Sequence, residues 1–156
     1  MNIATPDDMR AFGRALADAL RPGDLVLLSG PLGAGKTTLT QGLVAGIGGN
    51  GPVVSPTFVI ARVYRGGRMP VLHVDAYRIG SIAEIDDLDL DASTDEAVTI
   101  VEWGNGLVEG LVEDHLEIRI ARPIGGEMDA DVEPRTIEVV GYGDRWADLE
   151  LPATVR

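Results

Sequence analysis

The sequence contains no cysteine and only one lysine, and both scarcities restrict its chemistry. Without cysteine, the chain can form no disulfide and offers no thiolate ligand to a metal. It also lacks an apolar run long enough to span a bilayer, and no basic segment followed by an apolar core marks a secretion signal. We therefore expect a cytoplasmic protein with no membrane partner.

The charge balance is strongly acidic, with 13 basic against 25 acidic side chains and a net charge of −12 at pH 7. The arginines are scattered along the chain, whereas proteins that bind nucleic acid directly cluster their basic residues against the phosphate backbone. We therefore expect no large direct contact with nucleic acid. The length of 156 residues and the hydrophobic content of 45% predict one globular domain over residues 1–156.

Apolar patterns along the chain predict an α/β fold. Thr5 and Pro6 are typical of a helix start, a second helix is expected from about Lys36 to Gly48, and Ser81 opens a short acidic helix. Strands are predicted at 25–28, 58–64, 71–75, 97–102, 115–121 and 136–140. This order indicates a central parallel sheet with antiparallel edge strands and flanking helices.

The segment SGPLGAGKTT places a glycine-rich loop between the first apolar strand and the second helix. Residues 30–37 match the pattern G-x-x-x-x-G-K-[ST], in which glycines let backbone N–H groups surround a phosphate. We expect Lys36 to bind the β and γ oxygens and the Thr37 hydroxyl to bind Mg²⁺. The alternative is a glycine-rich turn that binds nothing. Because Lys36 is the only lysine, the guanine-binding motif N-K-x-D cannot occur, and adenine is the expected base.

Two acidic residues end apolar strands, where a phosphate loop needs a partner for Mg²⁺ and water. Asp75 ends VLHVD, in which the period of two puts His73 on the same face, and Glu102 ends AVTIVE. One acid is expected to hold the metal and the other to order the attacking water. Each is also compatible with a loop-capping role, and His73 with that of an ordinary hydrogen-bonded histidine. Ser55 to Thr57 is either a γ-phosphate sensor or a turn before a strand.

The motifs SGPLGAGKTT, SPTF, HVDAYR and VEW occur in this order in a chain of this length. Together they resemble the TsaE family, also called YjeE, the ATPase subunit of the bacterial system that makes threonylcarbamoyladenosine in tRNA. The resemblance implies a P-loop ATPase fold, with ATP and Mg²⁺ as cofactors. It implies catalytic roles for Lys36, Asp75 and Glu102, with Thr37 and Glu102 as metal ligands. It also implies nucleotide contacts from Pro31, Leu32, Gly33, Ala34, Gly35, Lys36, Thr37, Thr38, Thr57, Trp103 and Arg135.

The same resemblance implies protein partners. Family members act on a complex of TsaB and TsaD, in which TsaD transfers the threonylcarbamoyl group, so we expect tRNA to be contacted mainly through these partners. No arginine finger is evident beside the loop, which predicts slow ATP hydrolysis alone and faster hydrolysis in the complex. Two alternatives are a small-metabolite kinase, although no basic lid is evident, and a nucleotide-binding scaffold without turnover.

Overall fold

One seven-stranded sheet organises the part of the chain that the computed structural model describes, namely residues 1–31, 35–49, 52–53, 61–75, 95–102, 114–122 and 134–149. In chain order the elements are β1 (Asn2–Ile3), α1 (Pro6–Ala17), β2 (Leu25–Ser29), α2 (Lys36–Ile47), β3 (Ala61–Tyr64), β4 (Val71–Asp75), β5 (Val98–Glu102), β6 (His115–Ala121), β7 (Arg135–Tyr142) and a 3-10 helix (Asp144–Trp146). Across the sheet the strands lie in the order β1-β7-β6-β2-β5-β4-β3.

The centre of the sheet is parallel and its edges are antiparallel. β2 pairs in parallel with both β5 and β6, and β5 pairs in parallel with β4. β3 adds to β4, β7 to β6 and β1 to β7, each in the antiparallel sense. Every residue of β5 is buried, as expected for a central parallel strand that is covered on both faces. The predicted sheet arrangement is confirmed.

The start of α1 and both ends of α2 agree with the sequence signals, whereas α1 ends at Ala17, before the apolar spacing that continues to Leu20. The Thr5 hydroxyl oxygen accepts a hydrogen bond from the backbone N–H of Asp8 at 3.1 Å, and Pro6 occupies the first turn of α1. α2 ends at Ile47, directly before Gly48, whose φ of 92° lies in the left-handed region that glycine adopts without strain.

α1 packs directly against α2, the helix that follows the glycine-rich loop. A Cβ atom on Gly42 would lie 2.2 Å from the carbonyl oxygen of Arg10, so only glycine allows the two backbones to approach this closely. The Arg10 Nε atom also donates to Gln41 Oε1 at 3.0 Å. Apolar side chains of both helices and of the central strands form one buried cluster, which includes Phe12, Leu16, Val26, Leu43, Ile100 and Ile118. These contacts position α2, and therefore the loop before it, on the sheet.

The remaining differences from the sequence prediction are two short elements and two predicted segments that the structure does not fully describe. The predicted strand at 58–64 is present as β3, while residues 58–60 and the predicted helix from Ser81 lie outside the described residues. Neither β1 nor the 3-10 helix is predicted, because each is too short to show a periodicity. The 3-10 helix is nevertheless anchored, since Arg145 donates to both carboxylate oxygens of Asp24 at 3.1 and 2.9 Å.

Candidate active site

The carboxyl ends of the parallel strands lie along one edge of the sheet; these strands are β2, β4, β5 and β6. The glycine-rich loop leaves β2 at this edge. The register pairs Asp75 of β4 with Glu102 of β5. β7 runs in the opposite direction, and the pairing of Thr136 with Ala121 brings its first residue, Arg135, to the same edge. In open α/β sheets, ligands bind outside the carboxyl ends of the strands. This edge is therefore the candidate site.

The end of the glycine-rich loop leads into a helix start that has no side-chain cap. Gly35 is the residue before α2 and has a φ of 112°, a left-handed conformation that favours glycine. Because glycine has no side chain, the N–H groups at the start of α2 receive no side-chain cap. Uncapped N–H groups at a helix start attract anions. Thr37 and Thr38, in the first turn of α2, are half-buried.

Lys36 is a buried cation at the base of this loop. Only 7% of its surface is exposed, and its Nζ atom donates to the carbonyl oxygens of Gly30 at 2.6 Å and Pro31 at 3.4 Å. Burial lowers the pKa of Lys36 to about 8, against the opposing effect of the negative charge of Glu102, which raises it. The charges of Lys36 and Glu102 therefore interact across the site.

Glu102 is held by a histidine from the neighbouring strand. The Nε2 atom of His73 lies 2.9 Å from Glu102 Oε1, and the two side chains are 0% and 7% exposed. His73 pairs in register with Ile100, two residues before Glu102, so both side chains are on the face of the sheet that carries the helices. One carboxylate oxygen of Glu102 is thereby engaged in a buried hydrogen bond.

The donor set at this edge fits Mg²⁺. Within the described ranges, no group of three or more His, Cys, Asp or Glu side chains is arranged to hold a metal by itself. Mg²⁺ is typically bound by one or two carboxylates and hydroxyls together with substrate phosphates, since it prefers oxygen ligands and retains water. Thr37 supplies a hydroxyl at the start of α2, and Glu102 supplies a carboxylate at the end of β5. These oxygen donors suit a metal that arrives with a nucleotide.

The structure brings some of the predicted site residues together and leaves the arrangement of others as a prediction. Described at or near the edge are Pro31, Gly35, Lys36, Thr37, Thr38, Glu102 and Arg135. Asp75 is described only in its backbone, which ends β4. The remaining residues lie outside the described ranges: Leu32, Gly33, Ala34, Thr57 and Trp103.

Two contacts of the site are not evident from the sequence. The hydrogen bond between His73 and Glu102 depends on β4 and β5 being neighbours, and strand order has no local signal in the sequence. Met9 of α1 is the second case, because its Cε atom would lie 3.2 Å from a Cβ placed on Gly35. Helical spacing predicts only that Met9 faces the core, and not that it packs under the phosphate loop.

Comparison with known proteins identifies the family. The family model "Threonylcarbamoyl adenosine biosynthesis protein TsaE" matches residues 3–127, which is more than three quarters of the chain. The chain belongs to the TsaE family. TsaE of Streptomyces coelicolor is 55% identical over 146 residues, which cover 92% of this chain and 97% of the relative. TsaE of Bacillus subtilis is 37% identical over 145 residues, covering 92% and 86%.

A solved structure supports the same assignment. The crystal structure of Bacillus subtilis YdiB is similar to this chain with a TM-score of 0.74 and 31% sequence identity, and the similarity covers 94% of this chain and 86% of that one. The fold is that of a P-loop NTPase, and family membership places the chain in the biosynthesis of threonylcarbamoyladenosine in tRNA. Family and fold together support nucleotide hydrolysis as its activity.

The described helices also bear on the expectation about membranes. α1 and α2 are each 12 residues long, and no helix in the described ranges is long and apolar enough to cross a bilayer.

Proposed function

We propose that this chain is a Mg²⁺-dependent ATPase that hydrolyses ATP slowly alone and faster on a complex of TsaB and TsaD. The observation that carries the proposal is the position of Lys36, which is buried at the base of an uncapped helix start and within electrostatic reach of Glu102. A buried ammonium next to exposed N–H groups is suited to the β- and γ-phosphates of a nucleotide. The net charge of −12 favours contact with tRNA mainly through the partners.

In this proposal each group at the strand edge has a distinct task. The ammonium of Lys36 exchanges the carbonyl oxygens of Gly30 and Pro31 for phosphate oxygens. The first-turn N–H groups, including those of Thr37 and Thr38, bind the same phosphates. The Thr37 hydroxyl and the Glu102 carboxylate would hold Mg²⁺, and the metal would supply positive charge next to the phosphates.

Further roles follow from the resemblance and from position. Asp75 ends the strand next to Glu102 and is proposed to order the attacking water. Arg135, buried at the same sheet edge, is proposed as a nucleotide contact. The segment between Pro31 and Gly35 is proposed to complete the phosphate loop, and Thr57 and Trp103 to lie close to the nucleotide. ATP is the proposed nucleotide because no lysine remains for a guanine-specific motif.

Dependence on a partner is supported by the position of Arg119. Arg119 is paired in register with Ser29, the last residue before the loop, but its side chain lies on the face of the sheet opposite to Glu102, where it donates to Glu117 at 2.9 and 3.0 Å and to Glu138 at 3.1 Å. Arg119 therefore does not reach the transferred phosphoryl group. The missing positive charge is expected to come from the partner complex.

The proposal is tested with the variants Lys36→Ala and Glu102→Gln. We expect Lys36→Ala to lose both nucleotide binding and hydrolysis, and Glu102→Gln to bind nucleotide in EDTA as the wild type does but to lose hydrolysis in Mg²⁺. Glu117→Gln is the matched control, because Glu117 is equally buried, at 2% exposure, but lies on the opposite face of the sheet. Wild-type hydrolysis in either site variant, or hydrolysis that needs a hydroxyl acceptor, would contradict the proposal.

A further inference from the structure

Glu102 accepts its hydrogen bond from a histidine that has little freedom to turn away. The ring of His73 is fully buried, and on its other side it packs against Tyr64 of β3, with ring centroids 6.3 Å apart and planes tilted by 38°. β3 pairs with β4 on the side away from β5. The imidazole is therefore confined between the edge strand and the carboxylate.

The chemistry of the two ring nitrogens indicates which one carries the proton. Among the described residues, His73 Nδ1 is buried without a hydrogen-bond partner, whereas Nε2 faces the carboxylate oxygen of Glu102 at 2.9 Å. A buried N–H without an acceptor is costly, and a carboxylate accepts hydrogen bonds but donates none. The proton is thus best placed on Nε2, and His73 is the donor in this bond.

A single hydrogen-bond donor restricts the orientation of a carboxylate. With Oε1 held by His73, the Glu102 side chain loses rotational freedom, and Oε2 is left for another ligand. Carboxylates that bind metals are commonly oriented by such hydrogen bonds, and removal of the orienting group typically weakens metal binding about 10–100-fold. A metal bound by Glu102 would therefore depend on a second, fully buried side chain.

We propose that His73 is a positioning residue that orients the Glu102 carboxylate for the Mg²⁺–nucleotide complex. This inference rests on the proposed role of Glu102 as a Mg²⁺ ligand. The alternative is that the buried pair only joins β4 to β5. A purely structural pair affects the free energy of unfolding, whereas a positioning pair also affects the coupling between Mg²⁺ and nucleotide.

The variants His73→Leu and His73→Gln separate these possibilities. Leucine fills much of the volume without a donor, and glutamine places an amide N–H close to the position of Nε2. His115→Leu is the matched control. His115 is the only other histidine and is also buried, at 3% exposure, but it lies at the amino end of β6, away from the carboxyl ends of the strands. The measured quantity is the apparent affinity of each variant's ADP complex for Mg²⁺, obtained from calorimetric titrations with ADP in EDTA and over a series of Mg²⁺ concentrations, with urea unfolding in parallel.

We expect His73→Leu to bind ADP in EDTA as the wild type does and to lose about 10–100-fold in apparent Mg²⁺ affinity of the ADP complex. His73→Gln is expected to recover most of that loss, and His115→Leu to keep wild-type Mg²⁺ affinity while losing stability. If the wild type, His73→Gln and His73→Leu all have the same Mg²⁺ affinity, the positioning role of His73 is refuted, whereas the proposed function is not. If His73→Leu fails to fold, His73→Ala takes its place. Wild-type Mg²⁺ affinity in His73→Gln together with weaker Mg²⁺ affinity in His73→Ala supports the inference, and equal Mg²⁺ affinity in these two variants refutes it.

The same titrations distinguish failure of this inference from failure of the proposed function. If ADP binding to the wild type does not respond to Mg²⁺, or if Glu102→Gln responds as the wild type does, Glu102 is not a metal ligand, and both proposals fall. If the wild type responds, Glu102→Gln does not, and the His73 variants match the wild type, only the positioning role is refuted.

Discussion

The buried state of Lys36 predicts that nucleotide affinity falls as pH rises. In the free protein the pKa of Lys36 is lowered to about 8 by burial, with the nearby charge of Glu102 opposing the shift. Phosphates placed against the ammonium favour its charged form, so nucleotide binding raises this pKa well above 8. Binding is then coupled to uptake of a proton when the pH lies between the pKa of Lys36 in the free protein and its higher pKa in the complex.

The size of the effect follows from the fraction of free protein that carries the charge. With a pKa of about 8 in the free protein, the charged fraction falls from about three quarters at pH 7.5 to about 3% at pH 9.5. If only the charged form binds, affinity falls by about 25-fold over this range, which corresponds to about 1.9 kcal/mol. The direction is fixed by linkage, because the pKa in the complex is higher than in the free protein.

The assay is calorimetric titration with ADP in EDTA between pH 7.5 and 9.5, which removes Mg²⁺ chemistry from the measurement. Repeating the titration in buffers of different ionisation enthalpy reports the number of protons taken up, expected to approach one at the highest pH. Lys36→Arg is the control, because a guanidinium stays charged throughout and its weaker binding should not depend on pH. A wild-type affinity that is constant over this range would show that the charge of Lys36 does not control nucleotide binding.

Two further predictions concern one contact that positions the loop, at Gly42, and one that lies away from it, at Arg145. Gly42→Ala places a methyl group 2.2 Å from the Arg10 carbonyl oxygen, and we expect it to lower the free energy of unfolding by about 1–3 kcal/mol and to weaken nucleotide binding, as measured by urea unfolding and ADP titration. Arg145→Met removes the two guanidinium donors that bind the buried carboxylate of Asp24. We expect it to lower the free energy of unfolding, measured in urea, by about 1–3 kcal/mol and to leave ADP affinity unchanged. A stable Gly42→Ala variant, or an Arg145→Met variant that binds ADP poorly, would contradict the respective account.

Local sequence signals predict the central elements of the fold well. Thr5 and Pro6 mark a helix start through their side chains, and Gly48 marks a helix end because it lacks one; each acts within a few residues. The apolar runs of β2 and β5 predict strands buried on both faces. The segment around Lys36 predicts a phosphate loop because the chemistry is contained in contiguous residues.

Contacts between distant segments are less accessible from the sequence. The period of two correctly puts His73 on one face of β4, but it does not say that Glu102 of β5 is its partner at 2.9 Å, because strand order depends on the packing of the whole sheet. The lowered pKa of Lys36 has the same origin, since burial is a property of the fold. Likewise, the approach of Gly42 to Arg10 depends on how two helices cross.

We propose that this chain hydrolyses ATP through the Lys36 and Glu102 site and that a partner complex completes that site. The decisive measurement is single-turnover hydrolysis of ATP with Mg²⁺, with and without a purified TsaB and TsaD complex. We expect slow hydrolysis by the chain alone, a large acceleration by the complex, and no acceleration in Glu102→Gln. Fast hydrolysis by the isolated chain that the complex leaves unchanged would contradict the claim.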